Sequence, residues 1–376
     1  MRKLKKGVRS IISILDLSKE EIEGLMDTAD AIEKDPEAYS EICRHKQLAT
    51  LFFEPSTRTR LSFESAMLSL GGSVLGFSSA NSSSASKGES VADTIEVVSN
   101  YADIIAMRHP REGAAYVASL HTNVPVVNAG DGGHFHPTQT LADLLTIRRK
   151  KGRLDDLCIG ICGDLKYGRT VHSLIEAMQR YTGIRYVLIS PEELALPGYM
   201  KEKLREEGAE YRETADLESA IPELDVLYMT RIQKERFTDE AEYMRLKDSY
   251  VLTEDKLASA KKDLSILHPL PRVNEISVKV DEDERACYFY QTYCGKQMRM
   301  ALIMYLLGLS GDGNGGKARE DAGKKAPRKM LRDVIKCQNP ACISAVEQEL
   351  PSVFELSDEA SHEYRCIYCD SLVRYQ

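Results

Sequence analysis

Ser18-Lys-Glu-Glu21 opens a stretch in which Ile22, Leu25, Met26, Ala29 and Ile32 recur at helical spacing. The serine and the glutamate three residues on form a capping box, so an amphipathic helix is predicted here. The pattern then changes to short continuous apolar runs: Leu48–Phe53, Ile104–Met107, Val124–Val127, Cys158–Cys162, Tyr186–Ile189, Val226–Met229 and Ser265–Leu267. Each is too short for a buried helix and none alternates, which fits strands covered on both faces, as in parallel sheets. Helical patterns such as Thr170–Tyr181 and Leu217–Ile221 lie between them, and the alternation predicts an α/β architecture. The strands divide between two parallel-sheet α/β lobes with a crossover near Gly133–Ala142, and an apolar helix over Met298–Leu309 closes the region.

At Ser310 the pattern stops. Gly-Asp-Gly-Asn-Gly-Gly is followed by scattered lysines and arginines up to Lys336, a composition that predicts a flexible linker. Beyond it Cys337, Cys342, Cys366 and Cys369 crowd the last 40 residues, whereas the other five of the nine cysteines are scattered. The expected domains are 1–138, completed by the helix 295–309, then 139–294, a linker over 310–332, and a small C-terminal domain over 333–376.

Composition narrows the function classes. With 43% hydrophobic and 29% charged residues the chain has a globular balance, and its net charge of −8 argues against binding nucleic acid through overall basic charge. No run reaches the roughly 18–20 apolar residues of a membrane span. The basic start is followed by a short, interrupted apolar stretch without a cleavage-site pattern, so no signal peptide and a cytoplasmic location are expected. Nine cysteines in such a chain suggest thiols or metal ligands, not disulfides.

Chemistry concentrates where the predicted strands end. Leu48–Phe53 runs into Glu54-Pro-Ser-Thr-Arg-Thr-Arg60, and Ile104–Met107 into Arg108-His-Pro110. Val124–Val127 leads through a glycine-rich turn to His136-Pro-Thr-Gln-Thr140. Cys158–Cys162 leads to Gly163-Asp-Leu-Lys-Tyr-Gly-Arg169, Val226–Met229 to Thr230-Arg-Ile-Gln233, and Ser265–Leu267 to His268-Pro-Leu-Pro-Arg272. Ligands of open α/β sheets bind outside the carboxyl ends of the strands, so Arg58, Arg108, Arg169 and Arg231 could converge on anions there. Ser56-Thr-Arg-Thr59 would present helix N–H groups, hydroxyls and a guanidinium to a phosphate. An ordinary helix cap with exposed arginines would read the same. His136, Arg169, Arg231 and Lys87 each have a bland reading when taken singly, and only their joint placement raises them above it. No Walker A or Gly-x-Gly-x-x-Gly pattern is present, so nucleoside triphosphate and dinucleotide readings fall away.

Phe53-Glu-Pro-Ser-Thr-Arg-Thr-Arg-Leu-Ser-Phe-Glu64, Met107-Arg-His-Pro110, His136-Pro-Thr-Gln-Thr140, Gly163–His172, Tyr228-Met-Thr-Arg231 and His268-Pro-Leu-Pro-Arg272 resemble the catalytic chain of aspartate carbamoyltransferase, in unbroken order from about Leu15 to Leu309. The resemblance implies the carbamoyltransferase fold and the transfer of a carbamoyl group from carbamoyl phosphate to L-aspartate, the committed step towards pyrimidines. It implies that Ser56, Thr57, Arg58 and Thr59 hold the phosphate, with Arg108 reaching the carbonyl side. His136 and Gln139 would grip the carbamoyl group, His136 donating to the oxygen on which charge develops. Backbone carbonyls around Pro269 and Leu270 would hold the amide and the incoming amine. Arg169, Arg231 and Gln233 would take the aspartate carboxylates. Ser83 and Lys87 match a loop that reaches in from a neighbouring subunit, so a homo-oligomer of at least three chains is expected. Such a reaction needs preorganised donors and alignment, without an organic cofactor or a covalent nucleophile. Ornithine carbamoyltransferase is the nearest rival, but it would carry a cysteine where Pro269 follows His268, and Arg231 suits a dicarboxylate. A non-catalytic scaffold of the same fold should have lost motif residues, and none is missing. Pro55 and the serine-rich loop Ser78–Ser86 are mild departures.

The tail spacing, Cys-x4-Cys, a 23-residue gap, then Cys-x2-Cys, points to one structural zinc held by Cys337, Cys342, Cys366 and Cys369, with accidental spacing as the alternative. About 40 residues cannot bury a sufficient core unaided. Seven acidic against two basic residues over Cys337–Gln376 argue against a nucleic-acid partner. The spacing and the Cys342-Ile-Ser344 segment resemble the zinc domain of the aspartate carbamoyltransferase regulatory chain. That implies docking on a catalytic subunit, a clamp in assembly, and no nucleotide-effector domain.

Overall fold

The computed structural model describes residues 8–82, 84–232, 241, 244–245, 250–310, 329–347 and 349–375. Ser83, Gln233 and linker positions 311–328 lie outside the described residues. The chain divides into two compact units, one of residues 1–137 with 299–376 and one of residues 138–298.

In the first unit, Ser18 and Glu21 form the reciprocal capping box of α1 (Lys19–Lys34), and Ile22, Leu25, Met26, Ala29 and Ile32 are its buried face. A parallel four-stranded sheet follows, built from β1 (Gln47–Phe52), β2 (Ser73–Phe77), β3 (Ile104–His109) and β4 (Val126–Asp131) in the order β2-β1-β3-β4. Crossovers run through α2 (Thr57–Ser69), α3 (Val91–Val98) and α4 (Ala114–Leu120). The chain leaves β4 into α5 (Pro137–Lys151), which opens the second unit.

The second unit carries a five-stranded parallel sheet in the order β7-β6-β5-β8-β9. Its strands are β5 (Cys158–Cys162), β6 (Arg185–Ile189), β7 (Glu210–Thr214), β8 (Val226–Met229) and β9 (Ser265–Leu267). The helices α6 (Arg169–Met178), α7 (Gly198–Glu206) and α8 (Leu217–Ala220) connect them. All seven apolar runs are strands of these two sheets. The edge strand β7 went unpredicted because it is polar, and β2 because its short apolar run is broken by Gly76 and only half-buried.

The last long helix, α9 (Tyr288–Leu306), starts well before the Met298 or residue 295 expected from the sequence. Its first turns, Tyr288-Phe-Tyr-Gln-Thr-Tyr, mix aromatic and polar residues and hide the start of the helix. At its far end the Tyr305 hydroxyl donates to Glu21 Oε1 at 2.8 Å, and Arg9 Nη2 donates to Glu21 Oε2 at 2.9 Å, which ties the helix to α1. The C-terminal segment forms an antiparallel sheet of β10 (Met330–Arg332), β11 (Val353–Asp358), β12 (Glu363–Cys366) and β13 (Leu372–Arg374). Ile343, Val353, Phe354, Tyr364 and Tyr368 from this segment share one buried cluster with Ala114, Val117, Ala118 and Val126. The small domain is therefore packed in cis on the first unit.

Candidate active site and metal centre

In the first sheet the chain order reverses between β1 and β3, the point where ligands of open α/β sheets bind. Phe52 and Arg108 are register partners across that junction. Ser56 precedes α2, but its side chain makes no capping bond, and no acidic residue lies in the first turn. Among the described residues, the first-turn N–H groups of α2 and its positive dipole end therefore meet neither a capping side chain nor an acidic residue of that turn. Arg58 lies in that turn and titrates below its ordinary value, through partial desolvation and then the neighbouring Arg108 cation. Arg108 is held at 2.7 Å from Glu54, yet its buried Nε donates to nothing among the described residues. Arg58 therefore lies in an uncapped first turn and feels the cation of Arg108, an arrangement whose chemistry suits an oxyanion. Thr57 is exposed, Ser56 and Thr59 are half-buried, and Lys87 is exposed at the end of a short turn, Ser84–Lys87.

His136 is buried, and the loop before it is shaped by Asp131, which is fully buried. Asp131 Oδ2 accepts from Gly113 N at 2.9 Å, and Oδ1 accepts from Phe135 N at 2.9 Å and from Asn128 Nδ2 at 2.8 Å. His109 beside Arg108 is a structural group. Burial pushes it down to about 4, so it is neutral and accepts from Arg111 N at 3.0 Å.

The second unit repeats the device. Its order reverses between β5 and β8, and Arg169 and Arg231 follow those two strands. Gly163 and Thr230 hold the two loops together: a Cβ on Gly163, at φ +119°, would lie 2.5 Å from the Thr230 carbonyl oxygen. Asp164 N donates to Thr230 Oγ1 at 2.9 Å, and Tyr167 N donates to Asp164 Oδ1 at 2.9 Å, which sets the start of α6.

Sequence reading missed two buried hubs here. Fully buried Asp143 accepts from Gln139 Nε2 at 2.8 Å, from the Tyr228 hydroxyl at 3.0 Å and from Gln291 Nε2. Gln291 Oε1 in turn accepts from His268 N at 3.0 Å. His268 pairs with Glu275 at 2.8 Å, and its Nδ1 accepts from Leu270 N at 2.8 Å. These bonds shape the Pro269–Leu270 turn, where Leu270 has φ +54° and precedes a cis proline. Polar residues placed within helical patterns, Asp143 and Gln291, were the only available signal. Arg272 is committed to Asp281 and to the Tyr288 hydroxyl.

In the small domain the sulfurs of Cys337, Cys342, Cys366 and Cys369 lie within 4.8 Å of one another, three of them buried. Cys337 and Cys369 are 3.5 Å apart and Cys342 and Cys366 are 3.9 Å apart, too far for disulfides. Sulfurs on a tetrahedral ion at about 2.3 Å sit roughly 3.8 Å from each other, so the set fits a closed thiolate metal site.

The fold and these donor sets define a carbamoyltransferase. The aspartate/ornithine carbamoyltransferase carbamoyl-phosphate-binding domain matches residues 9–149, and the corresponding aspartate/ornithine-binding domain matches 155–306. The metal-binding domain of the aspartate carbamoyltransferase regulatory chain matches 329–376. The aspartate carbamoyltransferase catalytic subunit of Lachnoclostridium phytofermentans is 64% identical over 301 residues, 80% of this chain and 98% of that protein. The catalytic subunit of M. jannaschii aspartate transcarbamoylase has a TM-score of 0.74 at 47% identity, covering 80% of this chain and 97% of that one. The Trypanosoma cruzi enzyme in complex with carbamoyl phosphate and aspartate gives 0.75 at 38% identity, covering 80% and 97%. The chain belongs to the aspartate carbamoyltransferase family, as a catalytic chain continued into a regulatory-chain metal-binding domain.

Proposed function

We propose that the chain joins carbamoyl phosphate to L-aspartate, giving N-carbamoyl-L-aspartate and phosphate for pyrimidine synthesis in the cytoplasm. The observation that carries this reading is the Arg58–Arg108 pair at the uncapped end of α2. Ser56, Thr57, Arg58 and Thr59 bind the phosphate, and Arg108 spans to the carbamoyl oxygen. His136 donates to that oxygen as the amine attacks, and Gln139, held by Asp143, orients the carbamoyl amide with the carbonyls of Pro269 and Leu270. Charge passes from the carbonyl oxygen to the leaving phosphate, so fixed donors supply the main stabilisation. The departing phosphate takes the amine proton. Arg169, Arg231 and Gln233 hold the two aspartate carboxylates, and Ser83 and Lys87 complete the site of a neighbouring chain in an assembly of at least three.

Cys337, Cys342, Cys366 and Cys369 hold one zinc ion, whose filled coordination serves structure and leaves no open position for substrate. The reaction calls for no organic cofactor. No helix among the described residues is long and apolar enough to cross a membrane, and neither a membrane nor a nucleic acid is a partner in this reading. A competition assay offering aspartate and ornithine with carbamoyl phosphate should yield carbamoyl-aspartate only. Carbamoylation of ornithine alone, or of neither amine, would sink the proposal.

A further inference from the structure

The metal centre is distant from the reaction chemistry in sequence, yet both of its knuckles grip one short loop. The second knuckle, Cys366–Cys369, is closed by Asp370 N donating to Cys366 O at 3.0 Å and Cys366 N donating to Ser371 O at 2.9 Å. That turn holds Asp370 at φ +58°, and its Oδ2 accepts from His134 Nε2 at 2.8 Å. His134 Nδ1 faces Asp131 Oδ2 at 3.2 Å, so the histidine bridges the knuckle to the carboxylate that shapes the loop.

The first knuckle acts through Glu112. Asn339, between Cys337 and Cys342, donates Nδ2 to Glu112 Oε2 at 2.6 Å, and Glu112 Oε1 accepts from Gly133 N at 3.2 Å. The backbones also pair, with Glu112 N donating to Ala341 O and Ile343 N donating to Glu112 O, both at 2.9 Å. Gly133 and His134 are thus held from two sides immediately before Phe135 and His136. The His134 ring also lies on Phe135, with centroids 3.7 Å apart. A linker, a docking patch or a simple hydrophobic contact would not require two polar arms to meet on adjacent residues.

We propose that the two metal knuckles are a positioning frame for the loop that carries His136, with Asn339 and Glu112 forming one arm and Asp370 and His134 the other. None of these four touches substrate; they act by fixing where His136 stands. The inference rests on the carbamoyl-transfer reading for the role of His136, but the frame itself does not.

The full-length metal-loaded protein carrying Asn339→Ala with Asp370→Ala is compared with wild type and with His134→Gln, which leaves both knuckles intact. Metal content, by a chromogenic chelator after mercurial release, should stay at the wild-type ratio per chain. Amide exchange at Gly133 and Phe135 should speed up about tenfold, and kcat should fall by about tenfold while KM for aspartate stays within about twofold. Asp370→Glu should recover most of the loss seen in Asp370→Ala alone. Wild-type exchange and kcat in both variants would overturn the frame, as would a lowered melting temperature with kcat unchanged. An inactive wild type would refute the carbamoyl-transfer reading instead, while the exchange rates would still decide the frame.

Discussion

Asp370 Oδ2 stands 2.8 Å from Nε2 of His134, joining two residues 236 positions apart. Burial opposes charge on this histidine, but the hydrogen bonds it donates to Asp131 and Asp370 raise it to about 10, so it is an imidazolium at neutral pH. The pair is the polar centre of a contact in which a small metal-binding domain sits on its own chain. The same contact depends on one glycine.

Gly113 has φ +83°, and a Cβ there would lie 2.5 Å from the Tyr368 carbonyl oxygen. Gly113→Ala should therefore destabilise the first unit by about 1–3 kcal/mol, through left-handed strain and the forced retreat of the second knuckle. Urea unfolding checks this; a midpoint equal to wild type would mean that the knuckle yields freely.

Metal removal should melt the small domain selectively. Phe354 and Tyr364 are buried there, but a segment this short depends on its metal staple. After treatment with a mercurial and chelator, amides of β11 and β12 should lose protection while those of β5 and β8 keep it. Equal protection before and after would show that packing alone holds the sheet.

Arg108→Ala should lower kcat/KM for carbamoyl phosphate by about 100- to 1000-fold, because on the proposed reading it removes a preorganised cation and leaves Glu54 without its partner. Arg58→Ala should act more on phosphate affinity than on turnover. Steady-state kinetics with inorganic phosphate as inhibitor separates the two effects, and unchanged phosphate inhibition in Arg58→Ala would contradict the assignment.

His109 predicts an acid limb in stability. Burial holds its folded value at about 4 against an ordinary 6.5, so below 6.5 the unfolded chain gains a proton that the folded chain refuses. Stability from this group is full above pH 6.5 and declines by about 3 kcal/mol as pH falls through the window to 4. His109→Asn keeps an acceptor for Arg111 N and should flatten that limb in denaturant titrations across pH 4–7. A limb as steep as wild type would assign the acid sensitivity to other groups.

Much of the architecture is legible in local patterns. The capping box and the five apolar positions of α1 all appear as read, and every continuous apolar run became a parallel strand. Edge strand β7 escaped because its residues are polar and part-exposed, and β2 because Gly76 breaks its short, half-buried apolar run. The start of α9 escaped because its first turns mix aromatic and polar side chains. Arg58 and Arg108 in the first unit, and Arg169 and Arg231 in the second, were visible because parallel sheets put chemistry at strand ends. Asp143, Glu275 and Gln291 were not, since a buried polar residue inside a helix or loop reveals its partners only when distant segments meet.

The sequence by itself determined the two parallel-sheet lobes, the placement of arginines and histidines after their strands and the four-cysteine tail, because each is written in contiguous spacing. Only the tertiary structure decided that the tail packs on its own chain, that Asp131 and Asp143 anchor the segments bearing His136 and Gln139, and that both knuckles meet at Gly133 and His134. Those relationships are hydrogen bonds between segments far apart in sequence, and their geometry exists only once the buried faces have packed.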